Sequence, residues 1–343
     1  MGTPTVISTA AALVAPGKGI LAADESTPTM AKRLATIGLG STEPLRRSYR
    51  EVLLTTPGLG DHVSGVILYD ETIRQRVTDG SAFAELLERA GVIPGIKVDA
   101  GTTALAGFPD EVVTEGLDRL RARLAEYADL GARFAKWRAV IRIGPGRPTS
   151  TCIAANAHGL ARYAALAQEA GLTPVVEPEV LMDGSHTLER CAEVTRAVLR
   201  EVYDELARHR VILEGTLLKP NMVLPGSECP DQVDDPTVAA YTLSVLRDTV
   251  PASVPGIVFL SGGQTDEQAT ARLDALNRVG GQPWELSFSF GRALQAPVLH
   301  AWAGQAANSA AAQAALRHRA DLNGAARRGR YSPDLERSSA GAG

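Results

Sequence analysis

A closed barrel of the α/β class, the single-domain (β/α)8 or TIM barrel, is the fold this sequence predicts, on three observations. Short apolar runs closed by a polar or charged residue occur eight times, each followed by a stretch with helical spacing. Their starts lie roughly 30–47 residues apart, room for a strand, a crossover helix and two loops. No linker or low-complexity segment divides the 343 residues, and eight unbroken β-then-α units favour a closed parallel barrel over an open doubly wound sheet.

The runs are GKGILAADES from Gly17, SGVILYDE from Ser64, IPGIKVDAG from Ile93, ARFAKWRAV from Ala132, TPVVEPEV from Thr173, GTLLKPNM from Gly215, GIVFLSGG from Gly256 and ELSFSFGRA from Glu285. Between them, Gly116 to Leu130 carries Leu117, Leu120, Leu124 and Tyr127 at helical spacing, and His186 to His209 carries Leu188, Cys191, Val194, Val198 and Val202. Asp266 is the expected N-cap of the helix after the seventh run. The alanine-rich pattern after Arg292 fades near Gly324. Residues 1–326 are therefore assigned to the barrel with its terminal segments, and residues 327–343 to a polar, mobile tail.

Composition narrows the function classes. Lys and Arg number 35 and Asp and Glu 39, a balance without the electrostatic footprint of a nucleic-acid or anionic-membrane binder. No apolar run is long enough to span a bilayer, and the first residues do not read as a signal peptide, so a cytoplasmic location is expected. Cys152, Cys191 and Cys229 form neither a CxxC pair nor a disulfide framework, and the six histidines show no HxH or HExxH spacing. No metal and no organic cofactor is expected.

The informative feature is where the charges fall. Side chains alternate faces along a strand, so Phe134, Lys136 and Arg138 share one face, as do Val175, Glu177 and Glu179; Leu217 and Lys219; Gly95, Lys97 and Asp99; and Ala22 and Asp24. Outward faces pack under helices and are apolar, which turns the charged set inward near the strands' C-terminal ends, where barrel active sites lie. A single buried lysine pinned by a carboxylate would be ordinary architecture. A convergence of several cations and carboxylates is costly unless function or pairing offsets it.

Two lysines and several carboxylates suit imine chemistry. A free lysine amine, with a pKa near 10.4, is almost wholly protonated at neutral pH, and a second cation or desolvation is needed to make it nucleophilic. Lys219 and Lys136 lie two strands apart and can approach across the mouth. An iminium on Lys219 would be the electron sink for a carbanion, with Glu177 moving protons for dehydration and Asp24 taking a proton from a hydroxyl. Ser261, Gly262 and Gly263 close the seventh run ahead of a helix, and Gly291 and Arg292 close the eighth, the usual phosphate position of such barrels. Ser289 is placed with this substrate-binding set. Lys97, Arg138 and Arg33 are read as free to meet a second anion.

At this level of detail the chain resembles the class I fructose-1,6-bisphosphate aldolases almost end to end. The carrying motifs are LAADES (Leu21–Ser26), AKRL (Ala31–Leu34), GVIL (Gly65–Leu68), GIKVD (Gly95–Asp99), FAKWR (Phe134–Arg138), VEPE (Val176–Glu179), EGTLLKPNMV (Glu214–Val223), FLSGGQ (Phe259–Gln264) and GRALQ (Gly291–Gln295). The resemblance implies that Lys219 forms the Schiff base, that Glu177 is the main acid/base, that Asp24 works on the C4 hydroxyl, and that Glu179 and Lys136 assist. It implies that Ser261, Gly262 and Arg292 hold the phosphate of the ketone half, and that Lys97, Arg138, Ser26 and Arg33 face that of the aldehyde half. The implied partners are sugar phosphates and other copies of the chain in a homotetramer. The sequence departs from the family pattern at Phe290, where a tyrosine is usual, and at Thr29, where a serine is common. It also lacks the terminal tyrosine by which animal members assist proton exchange; its last tyrosine is Tyr331. Two rival readings are a Schiff-base lyase or transaldolase for another sugar phosphate, which would have little use for a second anion site, and a non-catalytic scaffold, which would have no need of Lys219, Glu177 and Asp24 together.

Overall fold

The computed structural model describes residues 3–337, in which the eight expected runs form the strands of one closed parallel barrel. In chain order these are Gly19–Ala23, Val63–Leu68, Ile93–Lys97, Phe134–Ile141, Thr173–Val180, Leu217–Leu218, Gly256–Phe259 and Glu285–Phe290. Each pairs with its neighbours in sequence, and the eighth closes on the first through Ile20 opposite Ser289. The register sets Lys97 beside Lys136 and Arg138 beside Glu177. The sixth strand is short because Pro220 cannot donate to a ladder, yet Lys219 N still reaches Val176 O at 2.8 Å, which holds Lys219 in strand register.

The alternation of faces is as expected. Ile20, Ala22, Phe134, Val175, Leu217 and Val258 fill the interior. Ala135, Trp137, Val176, Leu218 and Phe259 pack outward under the helices. The inner layer needs more than strand residues. The N-terminal helix Thr3–Leu13 lies across the end opposite the mouth, adding Ala10, Leu13 and Val14 to the interior cluster. It is tied there by Ser64 Oγ donating to Leu13 O (2.5 Å) and Thr173 Oγ1 to Val6 O (2.8 Å). Gly95 makes room for the inner layer: a Cβ there would lie 2.3 Å from the Phe134 ring. Burying a phenylalanine of this kind contributes roughly 2–3 kcal/mol.

Two local expectations are corrected. The helix of the 116–130 stretch is Leu120–Asp129, because Gly116 (φ +122°) and Arg119 (φ +56°) stand in left-handed conformations no α-helix contains. The helix Asp266–Val279 is capped by Thr265: its hydroxyl accepts from Gln268 N, and Gln268 Oε1 accepts from Thr265 N, a reciprocal capping box. Asp266 is instead its first residue, where a negative charge suits the helix dipole. An antiparallel hairpin, Thr102–Ala104 with Val112–Thr114, also follows the third strand, unforeseen in the sequence.

The segment from Arg327 onward differs most from expectation. The helix Ser309–Arg327 includes Arg327, whose buried guanidinium donates to the carbonyls of Val14, Ala15 and Lys18 and pairs with Glu285 at 2.8 Å. Tyr331 is buried; its N–H donates to Asp274 (2.7 Å) and its hydroxyl to Glu336 (2.9 Å). Glu336, in the short helix Pro333–Arg337, pairs with buried Arg319 at 2.7 Å. Polar composition suggested a loose tail, but these polar groups have specific buried partners. The remainder of the expected tail, 338–343, lies outside the described residues.

Candidate active site

The barrel mouth opens on a cavity of about 1110 Å³, and every residue expected of the site lines it: Asp24, Ser26, Arg33, Lys97, Lys136, Arg138, Glu177, Glu179, Lys219, Ser261, Gly262, Gly263, Ser289, Gly291 and Arg292. The cause is the period of two. Asp24, Lys136, Glu177 and Lys219 each stand two positions past an inward apolar residue of their strand (Ala22, Phe134, Val175 and Leu217), so they reach the same level of the barrel.

At the centre, Lys136 and Lys219 flank Glu177. Lys219 Nζ lies 3.1 Å from Glu177 Oε1, and Lys136 Nζ lies 3.1 Å from Oε2. Lys136 also contacts Asp24 at 2.8 Å and Asp99 at 4.0 Å. All of these groups are largely buried. Burial alone would neutralise Lys136, but Asp24, Glu177 and Asp99 together outweigh it and hold its ammonium well above the ordinary range. Burial likewise pushes the Asp24 carboxyl upward, and Lys136 and Lys219 reverse this, leaving it far below its usual value. Glu177 follows the same logic, with Lys136, Lys219 and Arg138 lowering it against burial. The resting centre therefore holds two ionised carboxylates and a protonated Lys136. Glu177 Oε2 makes its ion-pair contact without an aligned hydrogen bond, an acceptor left open at the middle of the site.

The side expected to take an anion is built from backbone and one arginine. Gly263 (φ +74°) turns the chain after the seventh strand. A Cβ on Gly262 would meet the Glu179 carboxylate at 2.9 Å, so a side chain there would have to displace it. Gly291 precedes the helix Arg292–Trp302, whose N-terminus carries no side-chain cap and opens at the mouth beside Arg292. Buried between them, Ser289 Oγ has no hydrogen-bond partner among the described residues.

The second set of cations is present but not free. Lys97 Nζ pairs with Asp99 at 2.6 Å, Arg138 is paired with Glu179, and Arg33 with Glu25. Burial would depress the Arg138 guanidinium, yet Glu179 and Glu177 raise it. Reading these three as unengaged is thereby corrected: unpaired cations so close to the core would carry a desolvation cost, and each has found a carboxylate. Ser26 Oγ lies 3.0 Å from Thr29 Oγ1, so threonine supplies the hydroxyl that serine would. Phe290 packs outward against Phe288 (centroids 5.5 Å apart), away from the cavity.

Sequence reasoning missed the residues that hold this arrangement. Buried Glu25 accepts from Arg50 (2.6 Å) and from Gln295 Nε2 (2.7 Å) while pairing with Arg33, so it ties the first strand to the helix after the eighth. Asp99 joins Lys97 to Arg138 N at 3.2 Å. Asn221 Oδ1 accepts from Val180 N at 3.1 Å, fixing the segment just past Lys219 to the end of the fifth strand. Strand parity places Asp99 on the inward face with Lys97 but gives it no role. Glu25, on the opposite parity from Asp24, gave no such signal.

Comparison with known proteins gives one answer. The family model for class-I fructose-bisphosphate aldolase, of the glycolytic type, matches residues 5–342. A probable fructose-bisphosphate aldolase class 1 of Xanthomonas axonopodis pv. citri is 57% identical over 96% of this chain and 99% of its own. The cytosolic fructose-bisphosphate aldolase 5 of Arabidopsis thaliana is 55% identical over 95% of this chain and 91% of its own. The solved aldolase of Plasmodium falciparum, in complex with TRAP and an inhibitor, superposes with a TM-score of 0.95 at 48% identity, covering 96% of this chain and 95% of that one. With eight parallel strands closing on a lysine–carboxylate centre and sequence likeness along nearly its whole length, the chain belongs to the class-I fructose-bisphosphate aldolase family.

Proposed function

We propose that this protein reversibly cleaves fructose 1,6-bisphosphate to dihydroxyacetone phosphate and glyceraldehyde 3-phosphate through a Schiff base on Lys219. The observation that carries the assignment is the unequal partnering of the two lysines. Lys136 faces three carboxylates and is held protonated, whereas Lys219 forms its ion pair with Glu177 alone among the described residues. Moving the one shared proton of the Lys219–Glu177 pair onto the carboxylate yields a neutral amine and a carboxylic acid together. The amine adds to the C2 ketone. Glu177 then protonates the carbinolamine hydroxyl, water leaves, and the iminium remains. Asp24, ionised, accepts the C4 hydroxyl proton, the C3–C4 bond breaks toward the iminium, and the aldehyde departs. Protonation of the enamine at C3 and hydrolysis release the second product and restore Lys219. Lys136 stabilises the negative charge of Asp24 and Glu177 through these steps, and Glu179 positions Arg138.

Ser261, Gly262, Gly263, Ser289, Gly291 and Arg292 take the phosphate of the ketone half, on bare N–H groups, an open helix N-terminus and a guanidinium. Lys97, Arg138, Arg33 and Ser26 take the other by exchanging their carboxylate partners for it. No metal ion or organic cofactor enters this scheme. We place the enzyme in the cytoplasm as a homotetramer; the Arabidopsis relative is named cytosolic, and no helix among the described residues is long and apolar enough to cross a membrane. Borohydride reduction with dihydroxyacetone phosphate tests the central claim. Peptide mapping should place one substrate-sized adduct on Lys219, and Lys219→Met should fold without turnover. An adduct elsewhere, or none, would refute the mechanism.

A further inference from the structure

Away from the mouth, the outer helices bring together a second group of side chains with ligand chemistry. The helix Ser150–Glu169 carries His158, and the neighbouring helix Leu188–Arg208 carries Glu205, with His209 at its C-terminal cap. His158 Nδ1 lies 3.0 Å from Glu205 Oε2, and His209 Nδ1 lies 3.6 Å from the same oxygen. The two imidazoles meet edge to face with centroids 5.0 Å apart. One ligand atom from each of the three residues lies within 4.8 Å of the others. None of the three lines the barrel cavity.

Sequence spacing hid this cluster, because Glu205 and His209 are one helical turn apart while His158 is 47 positions earlier. Arg208 donates to Glu205 Oε1 at 2.6 Å and leaves Oε2 turned toward both histidines. His209 Nδ1 also lies 2.9 Å from Glu205 O, a hydrogen bond that a metal ion on Nδ1 would replace. The His158 side chain is half exposed.

We propose that His158, Glu205 and His209 form a binding site for a borderline divalent transition cation such as zinc(II), joining two barrel helices, with water completing the coordination. Two imidazole nitrogens and one carboxylate oxygen suit this class and disfavour calcium and magnesium, which take oxygen ligands. Ligand atoms about 2.0–2.2 Å from a tetrahedral zinc lie roughly 3.4 Å apart. The cluster therefore closes by a rotation of His158 rather than by a backbone movement. The site is structural in character, a clasp between helices, and separate from the aldol chemistry.

The experiment is calorimetric titration of the EDTA-treated, dialysed full-length protein with zinc chloride, beside visible spectroscopy with cobalt(II). One equivalent per chain should bind and cobalt should give ligand-field bands. His158→Ala and His209→Ala should each weaken binding at least tenfold, and the double variant should lose the cobalt bands, with circular dichroism and cleavage rate unchanged. No binding by the native protein, or undiminished binding by the double variant, would overturn the site. A fall in cleavage rate on zinc removal, restored by zinc, would overturn its separation from catalysis.

Discussion

Replacing Lys136 by methionine tests the electrostatic logic of the centre. The substitution keeps most of the side chain's length and removes an ammonium 2.8 Å from Asp24, 3.1 Å from Glu177 and 4.0 Å from Asp99. At an effective dielectric of about 20, unit charges roughly 3 Å apart interact by about 5–6 kcal/mol. Burial offsets much of this, yet Lys136 is the largest lowering influence on both Asp24 and Glu177. Removing one partner of such a buried cluster costs roughly 3–5 kcal/mol. The sign follows from the direction of the shifts. Both carboxyls are depressed in the folded protein, so their contribution to stability is present above the unfolded carboxylate range and is lost as pH falls through the folded values. Without Lys136 the folded values rise, acid unfolding begins at a higher pH, and the acid limb of the cleavage profile moves up by about one unit or more. Loss of the ionised Asp24 and Glu177 should also lower kcat by roughly a hundredfold or more. A coupled assay across pH, beside circular dichroism during acid titration, measures both effects. If the acid limb and the acid unfolding midpoint stayed in place, and kcat fell less than about threefold, the role given to Lys136 would be wrong.

Arg292→Ala should reduce kcat/KM by roughly tenfold to over a hundredfold for any substrate with a phosphate on the ketone half, the equivalent of about 1.5–3 kcal/mol for a charge-assisted contact. Steady-state kinetics with the bisphosphate and with fructose 1-phosphate should show similar losses. Lys97→Ala should instead harm cleavage of the bisphosphate more than that of the 1-phosphate; equal losses would mean the second phosphate lies elsewhere. Deleting residues after Ser332 should leave cleavage within a few-fold but lower the melting temperature by a few degrees, because buried Arg319 loses Glu336, a contact worth roughly 1.5–3 kcal/mol. An unchanged melting temperature would show that the docked segment contributes nothing, and a hundredfold loss of dihydroxyacetone phosphate proton exchange would make it catalytic.

The barrel strands and the charged mouth were legible because a strand's period of two is written locally. Val175, Glu177 and Glu179 declare one face within five residues, and Phe134, Lys136 and Arg138 do the same. What the sequence concealed depends on partners far along the chain. Glu25 finds Arg50 25 positions on and Gln295 270 positions on. The C-terminal segment has few large apolar residues, so its composition resembles a tail, while Tyr331 anchors to Asp274 57 positions earlier. The hairpin at Thr102–Ala104 has only exposed residues in its first strand, leaving no apolar alternation to read. The pairing of Lys97, Arg138 and Arg33 was hidden for a related reason: residue type announces a cation, but not whether a carboxylate already holds it.

The helix Thr3–Leu13, stopping the far end of the barrel with Leu13 and Val14, has a kinetic corollary. Among the described residues the far end is packed shut and the mouth is open. On the proposed mechanism, substrate, both products and the water that hydrolyses the imine travel through that mouth. The water that frees Lys219 therefore arrives along the path by which the aldehyde left. On that mechanism the traffic runs in order: aldehyde out, water in, ketone out, and in synthesis the same queue in reverse.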